Sequence, residues 1–242
     1  SVNLRFIPGK YLPEFFKLQN LTNITGWEYF AEGYFNIQDE SAGLACRLLE
    51  VKQGLRVLDL CSAPGGKSAY IAGLMHDEGE IIAIDKYESR LNILEKNIKR
   101  LGINIIKPVP QDALEYSENN FDRVLVDVPC SGTGTLSKKP DIKWKKDLLD
   151  IRNMNWLQYE LLVKAAQLVN KDGIVVYSTC SIEPEENFEI ISKFLNTHPN
   201  FKLKNAAEEF PKELVDENGC IQTFPHIHNM DGAFAAKLIR VE

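Results

Sequence analysis

Two cysteines stand out because each lies in a polar segment that follows an apolar run. Cys130 belongs to the segment DVPCSGTG, and Cys180 belongs to YSTCSIEPEEN. A structural cysteine is normally packed among apolar side chains, which is the simpler interpretation of Cys46 and Cys220. A cysteine in a polar loop is more accessible, and its thiolate is a strong nucleophile. We therefore expect Cys130 and Cys180 to act in covalent chemistry.

Two neighbouring thiols suit the methylation of carbon 5 of a pyrimidine. That carbon is not nucleophilic enough to accept a methyl group directly, but addition of a thiolate at carbon 6 makes it enamine-like. The adduct must afterwards lose the proton on carbon 5 and expel the sulfur, so a second group that acts as a base is useful. Asp127 would hydrogen-bond the N3 and N4 edge of the base and offset the developing charge. Residue types alone do not show which thiol attacks.

A glycine-rich turn, CSAPGGK, predicts a binding site for an anionic group. Gly65 and Gly66 allow close approach of a ligand to the backbone, Pro64 stiffens the turn, and the following helix offers unpaired N–H groups. Asp85 lies 20 residues beyond Gly65, the spacing at which an acidic side chain binds ribose hydroxyls in dinucleotide-type folds. S-adenosylmethionine fits this pattern, with its carboxylate at the turn, its ribose at Asp85 and its adenine near Asp112. The simpler interpretation is a tight turn followed by an aspartate that caps the next helix.

The same turn admits a second ligand, a nucleoside triphosphate. Its sequence CSAPGGKS approaches the phosphate-loop motif, and the run before Asp127 resembles a Walker B strand. The motif requires glycine where Cys61 stands, and the imide of Pro64 cannot donate a hydrogen bond to phosphate. ATP hydrolysis is therefore the weaker alternative.

Alternating patterns predict the scaffold that brings these residues together. From residue 39 on, apolar runs alternate with helical patterns, which is typical of a parallel sheet covered by helices. In such sheets the carboxyl ends of the strands line the ligand crevice. The prediction is an α/β, Rossmann-like methyltransferase fold with a seven-stranded, mostly parallel sheet and an antiparallel C-terminal edge. The expected strands are 56–60, 81–85, 105–109, 124–128, 174–178, 220–223 and 233–241, and the expected helices are 40–51, 67–76, 88–101, one ending near 170 and one after 184.

Composition limits the class of protein. The chain has 242 residues, of which 44% are hydrophobic and 26% charged, and a net charge of −6, as in a soluble globular protein that needs no metal or disulfide. Five widely spaced cysteines without a CxxC pair predict free thiols. The sequence has no long apolar run and no secretory signal, so we expect a cytoplasmic protein. His226 and His228 lack further ligands, so we expect them to be surface-loop histidines, and no metal is expected.

The N-terminal residues 1–35 differ from the rest because they contain nine aromatic side chains without clear periodicity. Aromatic residues dominate protein cores, so we expect these to pack against the sheet domain rather than to form a base-stacking platform. We treat 1–35 as an aromatic-rich segment, which also fits the end of an upstream subdomain, and 36–242 as the catalytic domain.

Five motifs, in order, resemble those of the RNA cytosine-5 methyltransferases, and specifically the ribosomal RsmB/Sun branch. They are FNIQDESAG, DLCSAPGGK, DVPCSGTG, YSTCSIEPEEN and DGAFAAKLIR, and the resemblance spans about residues 26–240. It implies transfer of a methyl group from S-adenosylmethionine to carbon 5 of a cytosine in 16S ribosomal RNA. It further implies Cys180 as the nucleophile and Cys130 as the residue that assists product release, although Cys130 follows a proline as the attacking cysteine of DNA cytosine methyltransferases does. The cofactor contacts that the resemblance implies are Cys61, Ser62, Ala63, Pro64, Gly65, Gly66, Lys67, Asp85, Asp112 and Asp127.

The segment after the Cys130 loop predicts contact with RNA. Its part KKPDIKW most resembles the ribosomal branch, and lysines there would neutralise phosphates. Trp144 either stacks on a base or anchors the loop through apolar contacts, and the second role is favoured. The target cytosine must be unstacked to reach the thiols. Transfer RNA methylation and a non-catalytic role in ribosome assembly remain alternatives. The lysines expected to contact RNA are Lys138, Lys139, Lys143, Lys145 and Lys146.

Overall fold

The structure is a computed structural model that describes residues 5–19, 23–145 and 148–242, without the side chains of Lys145 and Leu148. The strands are β1 (Arg5–Pro8), β2 (Phe16–Gln19), β3 (Arg56–Leu60), β4 (Glu80–Asp85), β5 (Ile106–Pro110), β6 (Phe121–Asp127), β7 (Val169–Thr179), β8 (Phe201–Lys204), β9 (Ile221–Thr223) and β10 (Ala233–Arg240). The helices are α1 (Glu28–Ala31), α2 (Glu40–Arg47), α3 (Gly66–Leu74), α4 (Glu88–Leu101), α5 (Ile142–Lys145), α6 (Leu148–Leu168), α7 (Phe188–Thr197) and α8 (Pro225–His228).

The central sheet has the strand order β5-β4-β3-β6-β7-β10-β8, and β9 pairs with β10 beside this path. Neighbours from β5 to β7 are parallel, whereas β10 runs antiparallel to β7, β8 and β9. The predicted α/β class and mostly parallel sheet are confirmed. The predicted antiparallel C-terminal edge is also confirmed, with β10 second from the edge and β8 outermost. The sequence analysis missed β8, whose four residues FKLK give only two periods of alternation, so the sheet has eight strands rather than seven.

Alternation along the central strands divides the core into two layers. Leu58, Leu60 and Val126 pack into one apolar cluster, which α6 and α7 cover. Val57 and Leu125 face the opposite cluster, under α2, α3 and α4. Because both faces of a parallel sheet are buried, the strands are almost continuously apolar, which is why their positions were predictable.

Most predicted helices form, with shifted ends. The helix α4 agrees with the prediction, and Gly102 ends it with a left-handed φ of 68°. The helix α2 ends at Arg47 rather than near residue 51, because the chain turns at Glu50, whose φ is 48°. No helix within the described ranges has the length and apolar character that crossing a bilayer requires.

The N-terminal segment is attached to the sheet domain through α2. The buried carboxylate of Glu40 accepts hydrogen bonds from the backbone N–H groups of Lys10, Tyr11 and Leu12 at 3.2, 2.7 and 2.8 Å. A side chain at Gly43 would lie 2.6 Å from the ring of Phe15, so the glycine permits close packing there. The strands β1 and β2 form a separate antiparallel hairpin.

The nine N-terminal aromatic residues pack only partly against the sheet domain. Tyr11 and Phe15 contact its core, but Phe6 and Tyr34 are 54% and 74% exposed. Several rings instead contact one another around Trp27. The expectation that this segment packs on the sheet is therefore met only in part, and a groove of about 1400 Å³ remains beside it.

Candidate active site

The glycine-rich turn lies where β3 ends and α3 begins. Cys61 leaves the strand with a left-handed φ of 64°, and the bond between Ala63 and Pro64 is cis. Gly65 has a φ of 98°, and a Cβ atom there would lie 2.7 Å from Cγ of Leu94. Glycine is thus required at this position by both backbone conformation and space.

The space in front of this turn fits an anionic ligand. A Cβ atom on Gly66 would meet nothing closer than 3.8 Å, and its nearest neighbours would be the side chains of Asn36 and Gln38. The first N–H groups of α3 have no acceptor within the helix. The buried Nε2 atom of Gln38 and the hydroxyl of Ser62 have no hydrogen-bond partner in the described structure. These unpaired donors and the open space fit the carboxylate of S-adenosylmethionine.

Asp85 ends β4 and lies almost fully buried beside this turn. Its Oδ1 accepts a hydrogen bond from the N–H of Tyr87 at 3.0 Å. Its Oδ2 is 3.1 Å from Nη1 of Arg90 but accepts no hydrogen bond with good geometry. Arg90 also donates to the carbonyl of Ala63 at 2.7 Å, so it ties Asp85 to the turn. Asp85 thus forms a hydrogen-bonded turn with Tyr87 and does not provide the cap of α4 that the simpler interpretation expected, and its Oδ2 can accept a hydrogen bond from a ligand hydroxyl.

Asp112 lies farther out, after β5. Its Oδ2 is 2.8 Å from Nζ of Lys86, and its Oδ1 accepts from the N–H of Leu114 at 3.0 Å. The hydrogen bond from Lys86 holds the pKa of Asp112 below its ordinary value. Asp112 is thus ionised and fixed at the sheet edge where the sequence placed the adenine.

A half-buried ion pair connects the glycine-rich turn to the end of β6. Nζ of Lys67 is 2.7 Å from Oδ2 of Asp127, and the hydroxyl of Ser178 donates to Oδ1 at 2.6 Å. Burial alone would lower the pKa of Lys67, but the charge and hydrogen bond of Asp127 outweigh it and raise the pKa. Lys67 is therefore a charged partner of Asp127. Sequence analysis placed both among the cofactor contacts and did not foresee their pairing.

A second buried carboxylate, Asp59, lies beneath this pair on β3. It is fully buried, and Ser68 donates a hydrogen bond to it. Burial raises its pKa to about 7, against the effect of that hydrogen bond.

The two thiols of interest meet at the ends of β6 and β7. Sγ of Cys130 and Sγ of Cys180 are 2.9 Å apart, and the N–H of Cys180 donates to Sγ of Cys130 at 3.2 Å. The hydrogen bond from Cys130 lowers the pKa of Cys180, and the charge of Lys67 acts in the same direction against the effects of burial and Asp127. The bond to Cys180 and burial raise the pKa of Cys130. Cys180 is therefore the more acidic thiol of the pair, and Cys130 is the thiol that keeps its proton to higher pH.

The remaining cysteines do not share this environment. Burial raises the pKa of Cys61 to about 12 and also raises the pKa values of Cys46 and Cys220. All five are free cysteines, as the sequence predicted.

The lysine-rich segment divides into two parts. Lys138 is bound between two carboxylates, 2.6 Å from Asp39 and 2.8 Å from Asp231, so its charge is already neutralised. Trp144 is 82% exposed, and Nζ of Lys143 lies 5.4 Å from the centre of its ring. The favoured prediction that Trp144 anchors the loop through apolar contacts is wrong. The side chain of Lys145 and all of Lys146 lie outside the described residues.

Sequence analysis missed residues that hold the thiol loops, above all Glu186 and Asn187, which are buried. Both belong to the segment YSTCSIEPEEN, so the motif contained them, but their burial was not visible in the sequence. It also expected His228 in a surface loop, whereas this side chain is buried and hydrogen-bonded to backbone groups at 2.9 Å.

A sheet of this order, with a glycine-rich turn after its first central strand and polar residues at its strand ends, defines a Rossmann-like methyltransferase fold. The chain belongs to the family described as 16S rRNA methyltransferase RsmB/F, which matches residues 46–239.

The chain is similar to curated proteins of related description. It is 38% identical over 222 residues to the probable ribosomal RNA small subunit methyltransferase B of Bacillus subtilis (strain 168), covering 89% of this chain and 50% of that protein. It is 36% identical to the 25S rRNA (cytosine-C(5))-methyltransferase nop2 of Schizosaccharomyces pombe, covering 88% of this chain and 38% of that protein. The chain thus spans about half the length, or less, of these curated relatives.

Solved structures show the same fold. The crystal structure of PH0851 has a TM-score of 0.92 and 36% identity, with 98% of this chain and 54% of that chain covered. The crystal structure of NSun6 from Pyrococcus horikoshii with SFG has a TM-score of 0.83 and 31% identity, with 94% and 59% covered.

Proposed function

We propose that this protein transfers a methyl group from S-adenosylmethionine to carbon 5 of a cytosine in small-subunit ribosomal RNA. The observation that carries the proposal is the pair of sulfurs of Cys130 and Cys180, 2.9 Å apart at the ends of neighbouring strands. The names of the relatives support ribosomal RNA as the substrate.

The glycine-rich turn and Asp85 would hold the cofactor. The N–H groups at the start of α3 suit its carboxylate, and Oδ2 of Asp85, which accepts no hydrogen bond, suits a ribose hydroxyl. S-adenosylmethionine, when bound, supplies the methyl group. The proposal is supported by NSun6, whose structure was determined with SFG, an analogue of this cofactor.

Cys180 begins the reaction as the nucleophile. Its thiolate, favoured by Cys130 and Lys67, forms a bond to carbon 6 of the cytosine, and the electrons of the C5–C6 double bond become available at carbon 5. Asp127, held by Lys67 and Ser178, accepts a hydrogen bond from N4 of the base and orients it. With the cofactor bound, carbon 5 would accept the methyl group, and the electrons of the broken methyl–sulfonium bond would stay on the sulfur of the cofactor.

Cys130 ends the reaction. After methylation, carbon 5 bears both a proton and a methyl group, and the C6–S bond must break. Once the sulfur of Cys180 is bound to carbon 6, the thiol of Cys130 gives its own proton to solvent. The resulting thiolate takes the proton from carbon 5, the C5–C6 double bond forms again, and the sulfur of Cys180 leaves as a thiolate. The two environments support this division, because Cys180 is the more acidic thiol in the free protein.

The RNA strand would pass over the exposed part of the lysine-rich segment. Lys139 and Lys143 would contact phosphates, and Trp144, which is 82% exposed, would stack on an unpaired base. The same role for Lys145 and Lys146 rests on the sequence alone. Lys138 would instead hold the segment to Asp39 and Asp231.

The contacts of Lys67 argue against a phosphate-loop NTPase. In that class the lysine reaches the phosphates of the nucleotide, whereas Nζ of Lys67 is paired with Asp127 at 2.7 Å. Isothermal calorimetry with S-adenosylmethionine and with ATP tests this conclusion. We expect heat of binding with the first ligand, and binding of ATP alone would overturn the cofactor assignment.

Mass spectrometry of RNA nucleosides tests the reaction itself. With labelled S-adenosylmethionine and small-subunit ribosomal RNA, the protein should form labelled 5-methylcytosine, Cys180→Ala should form none, and Cys130→Ala should leave a covalent RNA adduct visible as a gel shift. Cys220→Ala, a buried cysteine away from the pair, is the matched control. Label on transfer RNA alone would show that transfer RNA is the substrate. Absence of label on every RNA would favour a non-catalytic assembly factor. A covalent adduct formed by Cys180→Ala would show that the roles of the two thiols are exchanged.

A further inference from the structure

The buried side chain of Glu186 holds both neighbours of Cys130. Its Oε1 accepts hydrogen bonds from the N–H of Ser131 at 2.8 Å and from Nε2 of Gln158 at 3.0 Å. Its Oε2 accepts from the hydroxyl of Ser131. The same Nε2 of Gln158 donates to the carbonyl of Pro129 at 2.9 Å. The carboxylate of Glu186 therefore binds Ser131 directly and Pro129 through the amide of Gln158, and in this way it fixes the backbone on each side of Cys130.

The next residue in the chain, Asn187, holds both neighbours of Cys180. Its Oδ1 accepts from the hydroxyl of Thr179 at 2.6 Å, and its Nδ2 donates to the carbonyl of Ser181 at 3.0 Å. Like Glu186, Asn187 is almost completely buried, so water does not compete for these bonds.

The backbone around the two residues is itself restrained. Glu186 ends a 3-10 turn, Pro184–Glu186, and Asn187 precedes α7. The carbonyl of Glu186 accepts a hydrogen bond from the hydroxyl of Tyr177 at 2.6 Å, and Tyr177 lies fully buried in β7. The two side chains therefore project from one fixed point of the fold.

We propose that the dipeptide Glu186–Asn187 is the positioning element that sets the distance between the two sulfurs. Adjacent residues each hold the two neighbours of one cysteine, so displacement of one loop relative to the other requires a buried hydrogen bond to break. Neither residue touches a reacting atom, and both act through the loops that they hold. The positioning role is argued from contacts in the free protein, and only its consequence for catalysis rests on the proposed function.

The two halves of the dipeptide should act on different steps of the reaction. Glu186→Ala frees the Cys130 loop and should resemble loss of Cys130, with a persistent covalent RNA adduct. Asn187→Asp keeps the shape of the side chain and the bond from Thr179, but it places an oxygen against the carbonyl of Ser181. It should resemble loss of Cys180, with little adduct.

The test begins with the free protein and a probe that needs no RNA. Phenylarsine oxide binds two adjacent thiols, forming two arsenic–sulfur bonds while the two thiol protons leave with its oxygen as water. The affinity of the probe for two adjacent thiols exceeds its affinity for a single thiol by about a hundredfold or more. We expect the wild-type protein to bind the probe in this mode, and Glu186→Ala, Asn187→Asp and the reference variant Cys130→Ala to lose about that factor.

Conservative and control variants separate positioning from general damage. Glu186→Gln keeps an oxygen for Ser131 and Gln158 and an amide that donates to the Ser131 hydroxyl, so it should restore bidentate binding. Glu189→Gln and Asn196→Ser change exposed residues of α7 and should behave as wild type. Calorimetric binding of S-adenosylmethionine and the unfolding temperature verify that each variant is folded.

The outcomes separate this inference from the proposed function. Bidentate binding in folded Glu186→Ala and Asn187→Asp, or its absence in the wild type, would overturn the positioning role. Loss of bidentate binding in both variants, with no methylation of any RNA by the wild type, would retain the positioning role and reject the reaction. The same adduct behaviour in both variants would contradict the division between the two steps.

Discussion

Replacement of Lys67 by methionine removes the positive member of the ion pair with Asp127 while keeping the length of the side chain. The side chains of Lys67 and Asp127 are 19% and 31% exposed. Removing one partner of a buried pair costs about 3–5 kcal/mol, because the other charge stays uncompensated. Asp127 is partly solvated and keeps its hydrogen bond from Ser178, so we expect the lower end, about 3 kcal/mol.

Thermal unfolding measures this loss. For a domain of 150–250 residues, each 1 kcal/mol shifts the unfolding temperature by about 2–4 °C, so Lys67→Met should unfold about 6–12 °C below the wild type. The double variant Lys67→Met/Asp127→Asn removes the stranded charge and should recover most of the difference. Its amide oxygen still accepts the hydrogen bond from Ser178.

The double-mutant cycle also provides the refutation. If the two substitutions add within about 0.5 kcal/mol, the residues do not interact and the assigned pair is wrong. Alkylation of Cys180 gives an independent measurement. Lys67 lowers the pKa of Cys180, so in the variant Lys67→Met the thiolate of Cys180 should form only at higher pH. An unchanged dependence of the alkylation rate on pH would contradict the assignment of a positive charge to Lys67 beside Cys180.

Three further predictions concern other parts of the fold and the RNA surface. A Cβ atom on Gly134 would lie 1.9 Å from the backbone oxygen of Gly232, the glycine before β10. In a denaturant titration, Gly134→Ala should therefore lower the free energy of unfolding by about 3 kcal/mol. The control Gly73→Ala, in α3 with open space around it, should be neutral or stabilising. The folded pKa of Asp59 is about 7, above the unfolded value of about 3.9, so the native state binds the extra proton and wild-type stability should fall as pH rises from about 4 to 7. Asp59→Asn should flatten that slope, and a slope equal to the wild-type one would show that Asp59 ionises freely. Lys139→Ala should reduce the slope of log affinity for RNA against log salt by about one phosphate contact, whereas Lys138→Ala should mainly reduce stability; equal slopes for the two variants would contradict the division of the lysine-rich segment.

The sequence predicted the strand ends because buried parallel strands are continuous apolar runs. From this it followed that the two polar cysteine loops lie at one edge of the sheet, and the structure confirms that Cys130 and Cys180 meet there. The catalytic roles of the two thiols remain predictions. The order of the strands was less accessible, because local patterns identify strands but do not encode their neighbours. This is why the position of β10 between β7 and β8 was not predicted.

Burial was the main information that the sequence lacked. The motif YSTCSIEPEEN contained Glu186 as one of several acidic residues, and nothing in it indicated that this side chain is fully buried and binds the Cys130 loop. The five lysines near Trp144 had equal standing in the sequence, and only coordinates show that Lys138 is occupied by two carboxylates. The exposure of a side chain and its ion pairs depend on segments that are distant in the sequence, so composition and residue spacing do not predict them.

The position of β10 determines when the site is completed as the chain emerges from the ribosome. The edge strand β8 pairs with β10 in the central sheet, and β10 follows it by about thirty residues of sequence. Just before β10, the N–H of Gly232 donates to the carbonyl of Gly134 at 2.8 Å, and the N–H of Gly134 donates to the carbonyl of Cys180 at 3.0 Å. A nascent chain that ends before residue 232 therefore contains both cysteines but lacks the hydrogen bond from Gly232 to Gly134 and the strand β10. Translation must pass this point before β10 can pair with β7, the strand that ends beside Cys180.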